Sequence, residues 1–202
     1  MQDDIDPNTD AKQPTDASKA EPANIIIADT DKADQENFKE AVGEARINAK
    51  VTTTDSGQEL MDNLKDESIP NPDIIFMENK MPLDDGKDLL TEIKKDDELK
   101  DIPTVIYTAS HTDEDVEEAF KTGASLFVTK PIFFRNLVLL LRRIFTANWK
   151  RILSRPLRKY FFIHEVSLDQ EQRRDTATQD RTKDIRTSNT ARTRTGHDRS
   201  EK

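Results

Sequence analysis

The sequence predicts an α/β protein with a five-stranded parallel sheet, doubly wound, carrying helices on both faces. Three observations carry this. Strand-like and helix-like segments alternate five times between residues 24 and 149. Most strand segments are continuous apolar runs, as expected of strands buried on both faces. Each is followed by a segment with helical spacing, and repeated β-α units build parallel sheets with right-handed crossovers.

The elements follow in order. NIIIAD (24–29) is a short apolar run ended by an acid, and reads as a buried strand. Residues 33–46 place Phe38, Ala41, Val42 and Ala45 at helical spacing. AKVTTTD (49–55) is strand-like, and 56–67 is helical with Leu60, Met61 and Leu64 on one face. PDIIFM (72–77) is a second buried strand, followed by a helix over 86–96 through Leu89, Leu90 and Ile93. IPTVIYTAS (102–110) predicts a strand, and 113–123 a helix stopped by Gly123. ASLFVTKP (124–131) is a strand closed by Pro131, and a final helix is expected from Phe133 to at least Trp149.

Composition limits the rest. Of the 202 residues, 35% are charged and 34% hydrophobic, so a normal core is diluted by polar ends. Residues 1–23 predict a disordered acidic arm and 164–202 a disordered tail of mixed charge. A net charge of -9 argues against a nucleic-acid binder as a whole. The chain has no cysteine, which removes disulfides, thiolate catalysis and Cys-ligated zinc and fits a reducing, cytoplasmic setting. The acidic N-terminus is unlike a signal peptide, and no apolar run approaches the ~20 residues of a membrane span. His111, His164 and His197 are scattered and receive no catalytic or metal role.

In open sheets of this kind, ligands bind outside the carboxyl ends of the strands. The strand ends here carry Asp29-Thr30-Asp31, then Glu78-Asn79-Lys80-Met81-Pro82, Thr108-Ala109 and Lys130-Pro131. Acids, a hydroxyl and an ammonium thus converge on one edge. Carboxylates with a backbone carbonyl suit Mg²⁺ sharing a phosphate. A lysine and a hydroxyl suit the remaining phosphoryl oxygens. Asp85-Gly86 reads as a turn.

These motifs resemble the response-regulator receiver domain of two-component signalling over about 24–148. Each is weak alone; four in order at strand ends are specific. The resemblance implies the flavodoxin-like strand order 2-1-3-4-5. It places the phospho-accepting position at Glu78, the acidic pocket at Asp29 and Asp31, and the backbone metal ligand at Lys80. It further implies the switch hydroxyl at Thr108, followed by Ala109, with Lys130 on the phosphate and the switching aromatic at Phe127. In the family the hydroxyl moves toward the phosphoryl group and the aromatic turns inward.

Two positions depart from the family. Glu78 stands where the acceptor is Asp, and Thr30 where a second acid is found. The extra methylene moves the carboxylate by about 1.5 Å of bond length. A misplacement of ~1 Å can cost ~100-fold in an in-line attack. Thr30 removes an anionic ligand, so Mg²⁺ binding is expected to be weakened. Asp31 is a substitute ligand only if the start of the first helix permits it. Asp29 has two competing roles, metal ligand and helix cap, and a joint role is expected. Three readings of Glu78 remain open: a built-in mimic of the phosphorylated state, a decayed site, or a residual acceptor.

The segment 135–163 holds eight Arg or Lys and no acid. Leu137, Leu140, Leu141, Ile144 and Phe145 form a core-facing stripe, with Trp149, Ile152 and Leu153 continuing it toward Pro156. Residues 149–163 are therefore taken as a basic aromatic extension, folding back onto its own domain or onto a dimer mate. Its alternative role is to bind nucleic acid or a membrane surface. The functional expectation is a stand-alone, non-enzymatic interaction module whose partner is a sensor histidine kinase or another signalling protein. Normal phosphorylation is not expected of it; the alternative is a working phospho-acceptor.

Overall fold

The computed structural model describes residues 21–146, 148–154 and 156–163. The acidic arm expected at 1–23 lies outside them up to residue 20, and the tail expected at 164–202 lies wholly outside them. His164 and His197 share that position.

Five β-α units follow one another: β1 (Ala23–Ala28), α1 (Lys32–Glu44), β2 (Ala49–Thr54), α2 (Gly57–Lys65), β3 (Ile74–Met77), α3 (Leu89–Lys95), β4 (Thr104–Thr108), α4 (Asp113–Thr122), β5 (Leu126–Thr129) and α5 (Phe134–Ile144). A short helix α6 (Trp149–Leu153), a 3-10 turn (Arg158–Tyr160) and β6 (Phe162–Ile163) complete the described chain. The sheet order is β2-β1-β3-β4-β5-β6, and every pairing is parallel. The flavodoxin-like order 2-1-3-4-5 is present, with a sixth strand on its free edge.

The apolar runs explain the layering. β3 and β4 are buried at every residue, so neither has a solvent face. Alternate residues feed two cores. Ile25, Ile27, Ile74, Phe76, Val105 and Tyr107 meet α1 and α5 on one side. Ile26, Ala28, Ile75, Met77 and Ile106 meet α2, α3 and α4 on the other.

Local chemistry sets the helix ends. Asp31 caps α1 by accepting from the backbone N–H groups of Ala33 and Asp34. Thr112 and Asp115 form a reciprocal capping box at α4, and Gly123 ends that helix with φ 103°. Gly57 opens α2 under the loop after β3, where a Cβ would lie 2.5 Å from the Pro82 carbonyl oxygen. No other residue fits that approach without displacement.

Two expectations change at the C-terminus. The final helix stops at Ile144 and does not reach Trp149 as one helix. Phe145 leaves helical geometry with ψ 48°, and its ring packs against Phe76 and Trp149. That bend returns α6 to the domain and buries Leu153. Residues 162–163 then pair with β5 as a short sixth strand. Phe161 is 1% exposed inside the second core, a burial contributing about 1.5–3 kcal/mol.

Candidate functional site

The carboxyl ends of β1, β3, β4 and β5 bring Asp29, Glu78, Thr108 and Lys130 together, as expected of a parallel sheet whose strands end in register. Lys130 Nζ lies 2.6 Å from Asp29 Oδ2, 2.8 Å from Glu78 Oε2 and 2.8 Å from Asp34 Oδ2. The ammonium thus faces three carboxylates, and its side chain is only 10% exposed. Burial draws the Lys130 pKa down, but the contacts to Asp29, Asp34 and Glu78 outweigh it and hold the amine above its ordinary value. The Tyr107 ring lies beneath it, 5.5 Å from Nζ to the ring centre. Burial pushes the Tyr107 hydroxyl pKa up, so it stays neutral.

Glu78 is engaged at both oxygens. Oε1 accepts from the Thr108 hydroxyl at 2.5 Å, and Oε2 accepts from Lys130. The same hydroxyl lies 3.0 Å from the Ser110 carbonyl oxygen. A hydroxyl has one proton, and the shorter contact to the charged acceptor is the stronger.

Asp29 is 1% exposed. Its Oδ1 accepts from the Asp31 N–H at 3.0 Å. Its Oδ2 is ion-paired to Lys130 but receives no aligned hydrogen bond. Gln35 fixes the strand end above it, donating to the Asp29 carbonyl oxygen at 2.6 Å and to Asp55 Oδ1 at 2.8 Å.

Other expected residues separate from this cluster. Asp31 does not join it: its carboxylate is spent on capping α1, so the cap expected of Asp29 belongs to Asp31. Thr30 is exposed, as is Ala109 beside the site. Lys80 carries its backbone at φ 55°, a left-handed conformation for the loop after Glu78. Its side chain turns away to Asp115, 2.6 Å distant. Phe127 is fully buried, with His111 and Phe162 against its ring. Among the described residues, no three His, Asp or Glu side chains are arranged to hold a metal ion.

Asp34 and Gln35 were not singled out from the sequence. Gln35 had a readable signal: it lies three residues before Phe38, on the apolar stripe, where a polar group needs buried partners. Asp34 had none, because its reach to Lys130, 96 residues away, depends on how α1 docks.

The fold and the four strand-end groups define a receiver. The family model for the response regulator receiver domain matches residues 25–142, and the chain belongs to that family. Response regulator Rcp1 of Synechocystis sp. is 28% identical over 139 residues, covering 67% of this chain and 94% of that protein. Response regulator SaeR of Staphylococcus aureus is 33% identical over 113 residues, covering 56% of this chain and 46% of that protein. Among solved structures, the phosphorylated cyanobacterial phytochrome response regulator RcpA matches with a TM-score of 0.55 and 28% identity, over 61% of this chain and 91% of that one. The Mn(2+)-bound form of Rcp1 matches with the same TM-score, identity and coverage. The chain is therefore a receiver domain of two-component signalling, a signalling module. Among the described residues, no helix is long and apolar enough to cross a membrane.

Proposed function

We propose that this receiver works as a protein-interaction module held in the engaged state by Glu78, without phosphoryl transfer. One observation carries the reading. The two Glu78 oxygens bind the Thr108 hydroxyl and the Lys130 ammonium, the groups that the family resemblance assigns to phosphoryl oxygens. The added methylene delivers a carboxylate to both at once. A carboxylate brings one negative charge where an acyl phosphate brings nearly two, so the mimicry is partial. The buried Phe127 ring agrees with an inward aromatic. The partner is a sensor histidine kinase or another protein of the same signalling class.

Mg²⁺ fits this pocket poorly. The donors to be tested are Asp29, Glu78 and the Lys80 carbonyl. The unsatisfied Asp29 Oδ2 is a cation-seeking atom, but the Lys130 ammonium already stands against it. Thr30 offers no carboxylate, and Asp31 is committed to its helix.

Incubation with acetyl phosphate and Mg²⁺, followed by intact-mass analysis, tests the reading. The wild type is expected to gain no phosphoryl mass. Glu78→Asp combined with Thr30→Asp is expected to gain it. Phosphoryl mass on the wild type that disappears in Glu78→Gln would overturn the proposal.

A further inference from the structure

β6 is seated on Phe127 and against His111. Phe162 pairs with Phe127, and the Phe127 N–H donates to the Phe161 carbonyl oxygen at 2.7 Å. The Phe162 ring lies 5.9 Å from the Phe127 ring and 4.9 Å from the His111 ring, centre to centre. His111 stands three residues after Thr108, on the same loop. The Thr108 hydroxyl that binds Glu78 also approaches the Ser110 carbonyl oxygen, next to His111. A continuous contact path therefore runs from Glu78 through Thr108, Ser110 and His111 to Phe162.

A second anchor is independent of the pocket. Arg158 pairs with Glu117 of α4 at 2.9 Å and lies over the Phe120 ring at 5.4 Å. Phe161 packs edge-on against the same Phe120 ring at 4.9 Å. The paired strand is only two residues long, preceded by one 3-10 turn. An element with so few ladder bonds belongs to the least stable part of a fold, where one added contact shifts its population.

We propose that residues 157–163 form a latch on the β5 edge whose docking reports the state of the pocket. The Thr108–Glu78 contact sets the 108–111 loop and Phe127, and these together form the seat for Phe162. Loss of that contact loosens the latch and uncovers the backbone groups of the β5 edge. This inference rests on the reading of Glu78 given above. By linkage, docking of the latch favours the engaged pocket to the same degree.

Amide hydrogen exchange of the full chain, followed by NMR, tests this directly. The Phe127 N–H is the reporter, because its acceptor lies in the latch. The Ile26 N–H in the interior strand β1, remote from β6, reports general loosening. Arg158→Glu is expected to speed exchange at Phe127 about tenfold and to leave Ile26 unchanged. Thr108→Val is expected to speed Phe127 about fivefold, within the usual range of coupling between sites. Thr108→Ser, which keeps the hydroxyl, is expected to exchange as the wild type does. Trypsin cleavage after Arg158 or Lys159 is expected to follow the same order, except that Arg158→Glu removes one of its two sites. Unchanged Phe127 exchange in Arg158→Glu would refute a latch. Unchanged exchange in Thr108→Val, with Arg158→Glu active, would refute its coupling to the pocket. A rise shared equally by Ile26 also counts against coupling. Failure of the Glu78 reading is seen separately, as phosphoryl mass on the wild type.

Discussion

Lys80 and Asp115 join the loop after Glu78 to the first turn of α4, with the ammonium 2.6 Å from Asp115 Oδ1. Asp115 also accepts the Thr112 N–H at 2.8 Å, so one carboxylate serves an ion pair and a capping box. The residue after Asn79 therefore acts twice: its backbone turns the loop and its side chain fixes α4.

The first prediction concerns acid. The Lys80 contact, followed by the Thr112 N–H, lowers the Asp115 pKa to about 2 from an ordinary value of 3.8. A carboxyl depressed in the folded state stabilises it above the unfolded pKa, and this is lost as pH falls through the folded one. Asp115→Asn is expected to lower the urea midpoint at pH 7. The gap to wild type is expected to persist to about pH 4 and to close toward pH 2. A gap that stays constant over that interval would contradict the assignment.

Lys94 gives a slope of the same sign at alkaline pH. Burial lowers its pKa to about 8 from 10.5, against a smaller upward pull from Asp101. Its Nζ donates to the carbonyl oxygens of Lys100 and Ile102 at 2.9 and 2.8 Å. Between those two pKa values the unfolded chain binds more protons, so this group makes stability rise with pH. Urea unfolding at pH 7.5 and 9.5 is expected to show a more favourable change for wild type than for Lys94→Met. Equal changes would exclude the effect.

Lys130→Met is expected to destabilise the fold by about 3–5 kcal/mol at pH 7, because it leaves buried Asp29 and its neighbours uncompensated. Partial exposure of Glu78 and Asp34 favours the lower end of that range. Adding Asp34→Asn is expected to recover part of the loss, since the two changes act on one network. Denaturant melts of the single and double variants measure both; a loss below about 1 kcal/mol would show the network to be solvated.

Gly57→Ala is expected to cost about 1–3 kcal/mol, although alanine is the better helix former. The cause is the 2.5 Å approach to the Pro82 carbonyl oxygen, which forces the loop after Glu78 to move. A stability equal to or above wild type in the same melts would show that the loop yields freely.

The receiver fold was legible because its determinants are local. Ile25 to Ile27 and Ile74 to Met77 are too apolar to face water, and their length admits a strand. The acids, hydroxyl and lysine at the strand ends were legible for the same reason: a parallel sheet sends every strand end to one edge. The break after Ile144 was not, because the stretch from Phe133 to Ser154 contains neither proline nor glycine. The packing of Phe145 against Phe76 decided it. β6 was equally hidden, since two residues have no period to read.

The sequence by itself determined that acids, a hydroxyl and a lysine end the strands of one parallel sheet and so share its carboxyl edge. Only the tertiary structure decided how those groups pair. Asp34 joins Lys130 and Asp31 does not, because helix docking fixes which side of the first turn faces the pocket. Whether Glu78 reaches both Thr108 and Lys130 depends on the separation of three strand ends, a distance that no local pattern records.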